Sequence, residues 1–291
     1  MKKFYFIPFC LIMLAFGCSQ PVPPFNGNKA FEYLEEQCNF GPRNPNSNGH
    51  LLCKNYIQSF LEDNGAKVYT QEFKAEVRGK SFELTNIIAS YYPTRPARIF
   101  IGTHWDTRPW ADKDKDSLNH MQPVPGANDG ASGTALLLHL AEILNKYEPP
   151  LLGVDLLFFD GEDMGEYGVN NSWCLGSKYF VKNYKGIKPA YIIIVDMIGD
   201  RELEIKIERY SYQNAPEFVT EIWRTAYSLD IPYFSTKVND FIYDDHYPFL
   251  EQGYEAVLII DFDYQYWHTL EDTPDKCSPE SLEAVGQVIT N

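Results

Sequence analysis

Four short runs of this chain are apolar almost without interruption: residues 97–101, 154–159, 191–195 and 256–260. Runs of that length and character suit strands covered on both faces, the habit of parallel sheets. Between the first two lies 131–147, rich in Ala, Leu and Ile and stopped by Pro149; its length and composition predict a helix. Upstream, 30–38 and 50–64 show helical apolar spacing and flank the rigid loop Gly41-Pro42-Arg43-Asn44-Pro45. Residues 68–73 alternate like a half-exposed strand and 84–91 read as a second; 202–208 alternate charged and apolar residues like an exposed hairpin strand. Further helices are expected over 216–228 and from about Pro279 onward. Strands alternating with helices, with no internal repeat after residue 28, predict one α/β domain over 29–291. Its centre is a mixed, mostly parallel twisted sheet flanked by helices.

The N-terminus is patterned differently. Lys2 and Lys3 precede an apolar run over 4–16 and then Gly17-Cys18. That is a signal peptide over 1–17, too short for the roughly 20 residues of a membrane span. A small residue directly before cysteine resembles a bacterial lipoprotein signal. A lipidated Cys18 is then expected, followed by a flexible tether over 18–28 that carries three prolines. The expected location is the periplasmic side of a membrane, the outer membrane in particular, with the lipid as the only membrane contact; soluble secretion is the alternative.

Composition narrows the partners. A net charge of −15 over 291 residues and no basic stripe exclude a nucleic-acid partner. Cys38, Cys53, Cys174 and Cys277 follow the lipidation site; an oxidising compartment permits disulfides, and Cys38–Cys53 is the local pairing expected. Their scatter gives no cysteine zinc site.

The candidate chemistry lies where the buried strands stop. The first is followed by Gly102-Thr103-His104-Trp105-Asp106, the second by Asp160, Glu162 and Asp163, the third by Asp196, and the last by Asp261 and then Trp267-His268. Ligands of open α/β sheets bind outside the carboxyl ends of the strands, so these groups are expected in one crevice. The loop Pro125-Gly126-Ala127-Asn128-Asp129-Gly130 precedes the long helix and brings Asp129 to the same end, where capping is the competing role for Asn128 and Asp129. Asp129, Asp163 and His268 make a mixed carboxylate–imidazole set of the kind that holds a catalytic Zn²⁺ with a position left open. Glu162, beside a ligand, is then placed to carry protons.

The segments GTHWDTRP, PGANDGASG, FFDGED, IVDMIG, YDDHYPF and WHTLEDTPD resemble, in that order, those of the M28 metallopeptidase superfamily. The resemblance runs from about Phe31 to the end of the chain and implies the zinc-exopeptidase-like α/β/α fold. Two activities of the superfamily compete: a two-zinc aminopeptidase, and a one-zinc glutaminyl-peptide cyclotransferase that converts N-terminal Gln to pyroglutamate with release of ammonia. The cyclase resemblance implies zinc on Asp129, Asp163 and His268, and an acid trio of Glu162, Asp196 and Asp244 joined by hydrogen bonds with Glu162 as proton shuttle. It implies substrate walls from Trp267, and also Trp105 and Trp173. The aminopeptidase resemblance implies a second zinc through His104 and Asp196, with Asp106 nearby. Asp244 favours the cyclase, because aminopeptidases usually carry serine there; Trp267 does so as well. Asp163 departs from the glutamate usual in animal cyclases. The partners implied are peptides or proteins with N-terminal Gln, acted on by a monomer.

Overall fold

The computed structural model describes residues 23–149, 152–169 and 172–291. Helices α1 (Gly27–Asn39) and α2 (Asn48–Asp63) lead into the strands β1 (Lys67–Val77) and β2 (Lys80–Tyr91). Then come β3 (Ala97–His104), α3 (Ala131–Lys146), β4 (Leu152–Phe159), α4 (Leu175–Asn183) and β5 (Tyr191–Asp196). The chain continues through β6 (Ile205–Ile207), α5 (Arg209–Asn214), α6 (Pro216–Ser228), β7 (Phe234–Val238), α7 (Tyr247–Glu251), β8 (Ala256–Ile260) and α8 (Pro279–Thr290). The main sheet has the order β1-β2-β4-β3-β5-β8. The β1/β2 and β2/β4 pairs are antiparallel, while β3 pairs in parallel with both β4 and β5, and β5 with β8.

The apolar runs bury both faces, as their composition requires. Val154, Leu156 and Phe158 of β4 join the core under α1, α2, α3 and α8, whereas Leu157 and Phe159 point into the opposite core with Phe180 of α4 and Phe249 of α7. The same alternation separates Val195 from Ile194 on β5 and Ile259 from Leu258 on β8. Because these strands are parallel, His104 lies opposite Phe159 and Asp196 opposite Ile260 at one edge of the sheet.

Three expectations change. Phe25 is buried in the core and Asn26 caps α1 by accepting from Lys29 N, so the fold begins within the stretch expected as tether. The strand expected over 202–208 shrinks to β6, which pairs in parallel with β7 instead of forming a hairpin; Ile205 is buried and the Glu208 carboxylate is used to cap α5. Cys38 and Cys53 are free thiols, as are Cys174 and Cys277; Cys53 is wholly buried among the apolar side chains of the α1–α2–α3 core. The signal segment and Cys18 lie outside the described residues.

Candidate active site

The ends of β4, β5 and β8 open on one cavity of about 250 Å³, lined by Asp129, Glu162, Asp163, Trp173, Asp196, Asp244, Trp267 and His268 among others. Gly161 sits at φ +75° directly after β4, and a Cβ there would stand 2.7 Å from Leu84 Cδ1. Only glycine turns the chain that sharply at that spot, which aims Glu162 and Asp163 back over the sheet. At the other loop Gly130 (φ +96°) opens α3 without any side-chain cap, so Asn128 and Asp129 are free of the capping role. Asn128 Oδ1 instead accepts from Gly199 N at 2.7 Å.

Two buried triads share Asp129. In one, His268 Nε2 lies 3.0 Å from Asp163 Oδ1 and 3.7 Å from Asp129 Oδ2. In the other, His104 Nε2 lies 3.1 Å from both Asp129 Oδ1 and Asp196 Oδ1. Asp129 Oδ2 and Asp163 Oδ2 are buried with no hydrogen-bond partner among the described residues. An anionic oxygen left bare in that way is costly, and a cation at the Asp129–Asp163–His268 focus would satisfy both. His268 Nδ1 faces Tyr167 Oη at 3.3 Å and Asp112 Oδ1 at 3.5 Å, which leaves Nε2 for a metal. His268 holds φ +57°, an uncommon backbone state for a residue with a side chain. A mixed N/O set with an open side fits Zn²⁺ as a Lewis acid.

Carboxylates behind the site hold its loops. Asp106 Oδ1 accepts from Glu162 N (3.1 Å) and Oδ2 from Asp163 N (3.3 Å). Asp106 therefore stands behind the acids, with His104 Nδ1 3.6 Å away. On the other side Asp272 accepts from Asn128 N (2.8 Å), Asp129 N (3.2 Å) and Tyr264 Oη (2.7 Å). Arg43, fully buried, donates to the carbonyls of Pro125 and Gly126 at 2.6 and 2.5 Å. Neither Asp272 nor Arg43 stood out in the sequence. The signal was their motifs, WHTLEDTPD and the Gly-Pro-Arg-Asn-Pro loop, each of which carries a charged residue beside turn formers.

Glu162, Asp196 and Asp244 all line the cavity, yet no hydrogen bond joins their carboxyls. Glu162 Oε1 instead accepts from the Cys174 thiol at 3.3 Å. Burial, and then the charges of Asp163 and Asp244, push the Glu162 carboxyl well above the usual carboxylate range. Burial and the Asp196 charge do the same to Asp244, and Asp245 rises to about 7, burial being the main cause. Burial and mutual repulsion together raise the proton affinities of these acids.

Trp173 and Trp267 line the cavity; Trp105 does not. Its indole is fully buried, stacks on His50 with centroids 4.3 Å apart, and donates to the Thr85 carbonyl at 3.2 Å. Asp160, the remaining acid after β4, is also structural: it sits 3.0 Å from His50 Nε2 and accepts from Thr85 N at 2.6 Å.

Comparison with known proteins adds the following. The model of Peptidase family M28 matches residues 86–291. Aminopeptidase YwaD of Bacillus subtilis is 26% identical over 282 residues, covering 91% of this chain; the chain spans 56% of that relative's length. The glutaminyl-peptide cyclotransferase of Drosophila melanogaster is 26% identical over 262 residues, covering 79% of this chain and 70% of its own. The crystal structure of Bacteroides thetaiotaomicron glutaminyl cyclase bound to N-acetylhistamine superposes with a TM-score of 0.88 at 37% identity, covering 92% of this chain and 97% of the other.

Proposed function

This chain belongs to peptidase family M28, and we propose that it is a zinc-dependent glutaminyl-peptide cyclotransferase acting on peptides or proteins with N-terminal Gln. The observation that carries the reading is Asp244. It lies buried on the wall of the same cavity as Glu162 and Asp196, where a water-activating peptidase has no need of a third acid. The likeness at 37% identity to a glutaminyl cyclase supports it.

Asp129, Asp163 and His268 would hold one Zn²⁺, which when bound supplies Lewis acidity to the side-chain carbonyl of the substrate glutamine. Trp173 and Trp267 wall that side chain and exclude water. Glu162 takes a proton from the substrate α-amine as its nitrogen bonds to the side-chain carbonyl carbon. It returns that proton to the departing nitrogen, which leaves as ammonia. Burial and the neighbouring Asp163 and Asp244 raise the proton affinity of Glu162. Cys174 fixes which Glu162 oxygen turns away from the cavity. The ring closes within one residue, so holding the extended side chain in a bent pose provides much of the rate.

A second reading, the two-zinc aminopeptidase, has the His104–Asp129–Asp196 triad in its favour. Ammonia release from a Gln-initiated peptide, measured beside aminoacyl-anilide cleavage and zinc content, separates the two. One zinc with ammonia supports the cyclase; two zincs with anilide cleavage and no ammonia overturn it. We also propose export as a monomeric lipoprotein anchored through Cys18 on the periplasmic side of the outer membrane. Cys18→Ala should move the protein from the membrane to the soluble fraction, and unchanged fractionation would refute this.

A further inference from the structure

The cavity is charged in layers. Its floor is acidic and buried, whereas its mouth is aromatic: Tyr167, Phe241, Tyr243 and Phe262 line it and remain exposed at 53%, 47%, 38% and 39%. Four acids around the mouth are each engaged by a cation, whereas Asp244 and Asp261, beside Tyr243 and Phe262, are buried. Asp112 pairs with Arg108 at 2.5 Å, Glu166 with Arg78 at 3.3 Å, Asp240 with Arg209 at 3.9 Å, and Asp263 with Lys206. Lys113 is different. Its backbone N–H donates to the His268 carbonyl at 3.2 Å, which anchors it at the rim. Its exposed ammonium lies 4.6 Å from the Tyr167 ring centroid and 5.6 Å from that of Trp267, on two walls of the cavity, and it has no carboxylate partner among the described residues. Cation–π contacts hold a lysine in place without neutralising it.

We infer that Lys113 is a specificity-determining residue that favours an acidic side chain directly after the reacting N-terminal residue of the peptide. The inference rests on the cavity taking the N-terminal glutamine, since that places the next residue at the mouth. The substrate's ammonium end goes to the acidic floor, and its following side chain meets Lys113 on Tyr167 and Trp267; the other mouth cation, Lys178 over Tyr243, is spent on the Trp173 carbonyl at 2.8 Å. An exposed ion pair of this kind is a modest effect, about 2- to 5-fold, and salt screens it.

The test compares zinc-loaded protein on Gln-Glu, Gln-Ala and Gln-Lys peptides of equal length, reading kcat/KM for ammonia release at low and high salt. Gln-Glu should lead Gln-Lys by that factor, the gap should close in high salt, and Lys113→Gln should abolish it without changing turnover of Gln-Ala. Lys113→Glu should reverse the order. Equal rates for the three peptides, or a preference that survives Lys113→Gln, overturn the inference and leave the cyclase reading intact. If no peptide releases ammonia, the cyclase reading fails instead. Calorimetric binding of the same peptides to zinc-loaded Glu162→Gln then decides about Lys113 by the same ordering.

Discussion

Asp106→Asn tests whether the acidic loop is held from behind. The wild-type carboxylate receives two backbone N–H groups, from Glu162 at 3.1 Å and Asp163 at 3.3 Å, and is itself fully buried. An amide offers one acceptor oxygen and must turn its NH₂ toward the other N–H. One buried donor is then orphaned, at about 1–3 kcal/mol, and the surviving bond loses its charge assistance, worth ~1 kcal/mol. The variant should therefore be about 2–4 kcal/mol less stable in urea unfolding of the metal-free protein, still within the 5–15 kcal/mol typical of a folded domain. If Asp163 is a ligand, as proposed, displacing its loop should also lower zinc affinity by about 10- to 100-fold in a chelator competition. Zinc-loaded protein should then lose a further ~1.4–2.7 kcal/mol relative to wild type at equal saturating zinc. Metal-free stability within 0.5 kcal/mol of wild type, with zinc affinity unchanged, would refute the reasoning.

Four further outcomes are expected. Asp244→Ser should lower ammonia release by at least about 10²-fold, the scale of a lost acid–base partner, while retaining one zinc; retained release sinks the acid trio. Cys174→Ala should reduce kcat more than KM, and Cys174→Ser, which keeps a donor to Glu162, should restore most of it; equal losses in both variants would contradict the thiol's role. Arg98→Met should destabilise by about 3–5 kcal/mol, because Asp155, now bonded at 2.6 and 2.7 Å, is left as a bare buried charge; a smaller shift in denaturation midpoint argues against this. Burial raises the Asp261 carboxyl to about 6, above an unfolded value of about 3.9, so its contribution to stability is lost as pH rises through that window. The stability difference between wild type and Asp261→Asn should move in favour of Asn between pH 4 and 6.5; a flat difference would show that Asp261 does not titrate there.

The strand runs and the long helix were legible because burial on two faces leaves a continuous apolar stretch that few other environments tolerate. The candidate metal-site acids were legible in part because carboxylates cluster after such stretches, although one of them, Asp160, is structural. What the sequence hid depends on distance in the chain. Asp272 reaches back to Asn128 and Arg43 forward to Pro125, pairings that no local pattern encodes. Trp105 failed as a pocket wall because, one residue past β3, it turns to face His50 and Thr85. The 202–208 strand was misread because alternation there reflects Glu208 turning inward to cap α5, an internal use of a charge that looks like solvent exposure. The Cys38–Cys53 pairing was drawn from nearness in sequence, and both thiols are free in the structure.

The order in which the site's parts occur along the chain bears on when the metal is acquired. Asp129 and Asp163 come from the middle of the sequence, but His268 and the Asp272 clamp follow the last strand. The first helix packs on α3 and on the last helix, where Gly27 N donates to Glu283 at 3.2 Å. A chain emerging from a ribosome or a translocation pore thus presents two loose carboxylates and no third ligand until almost all of it is out. On the proposed ligand set, zinc would be captured only by a nearly finished molecule, because the histidine arrives last.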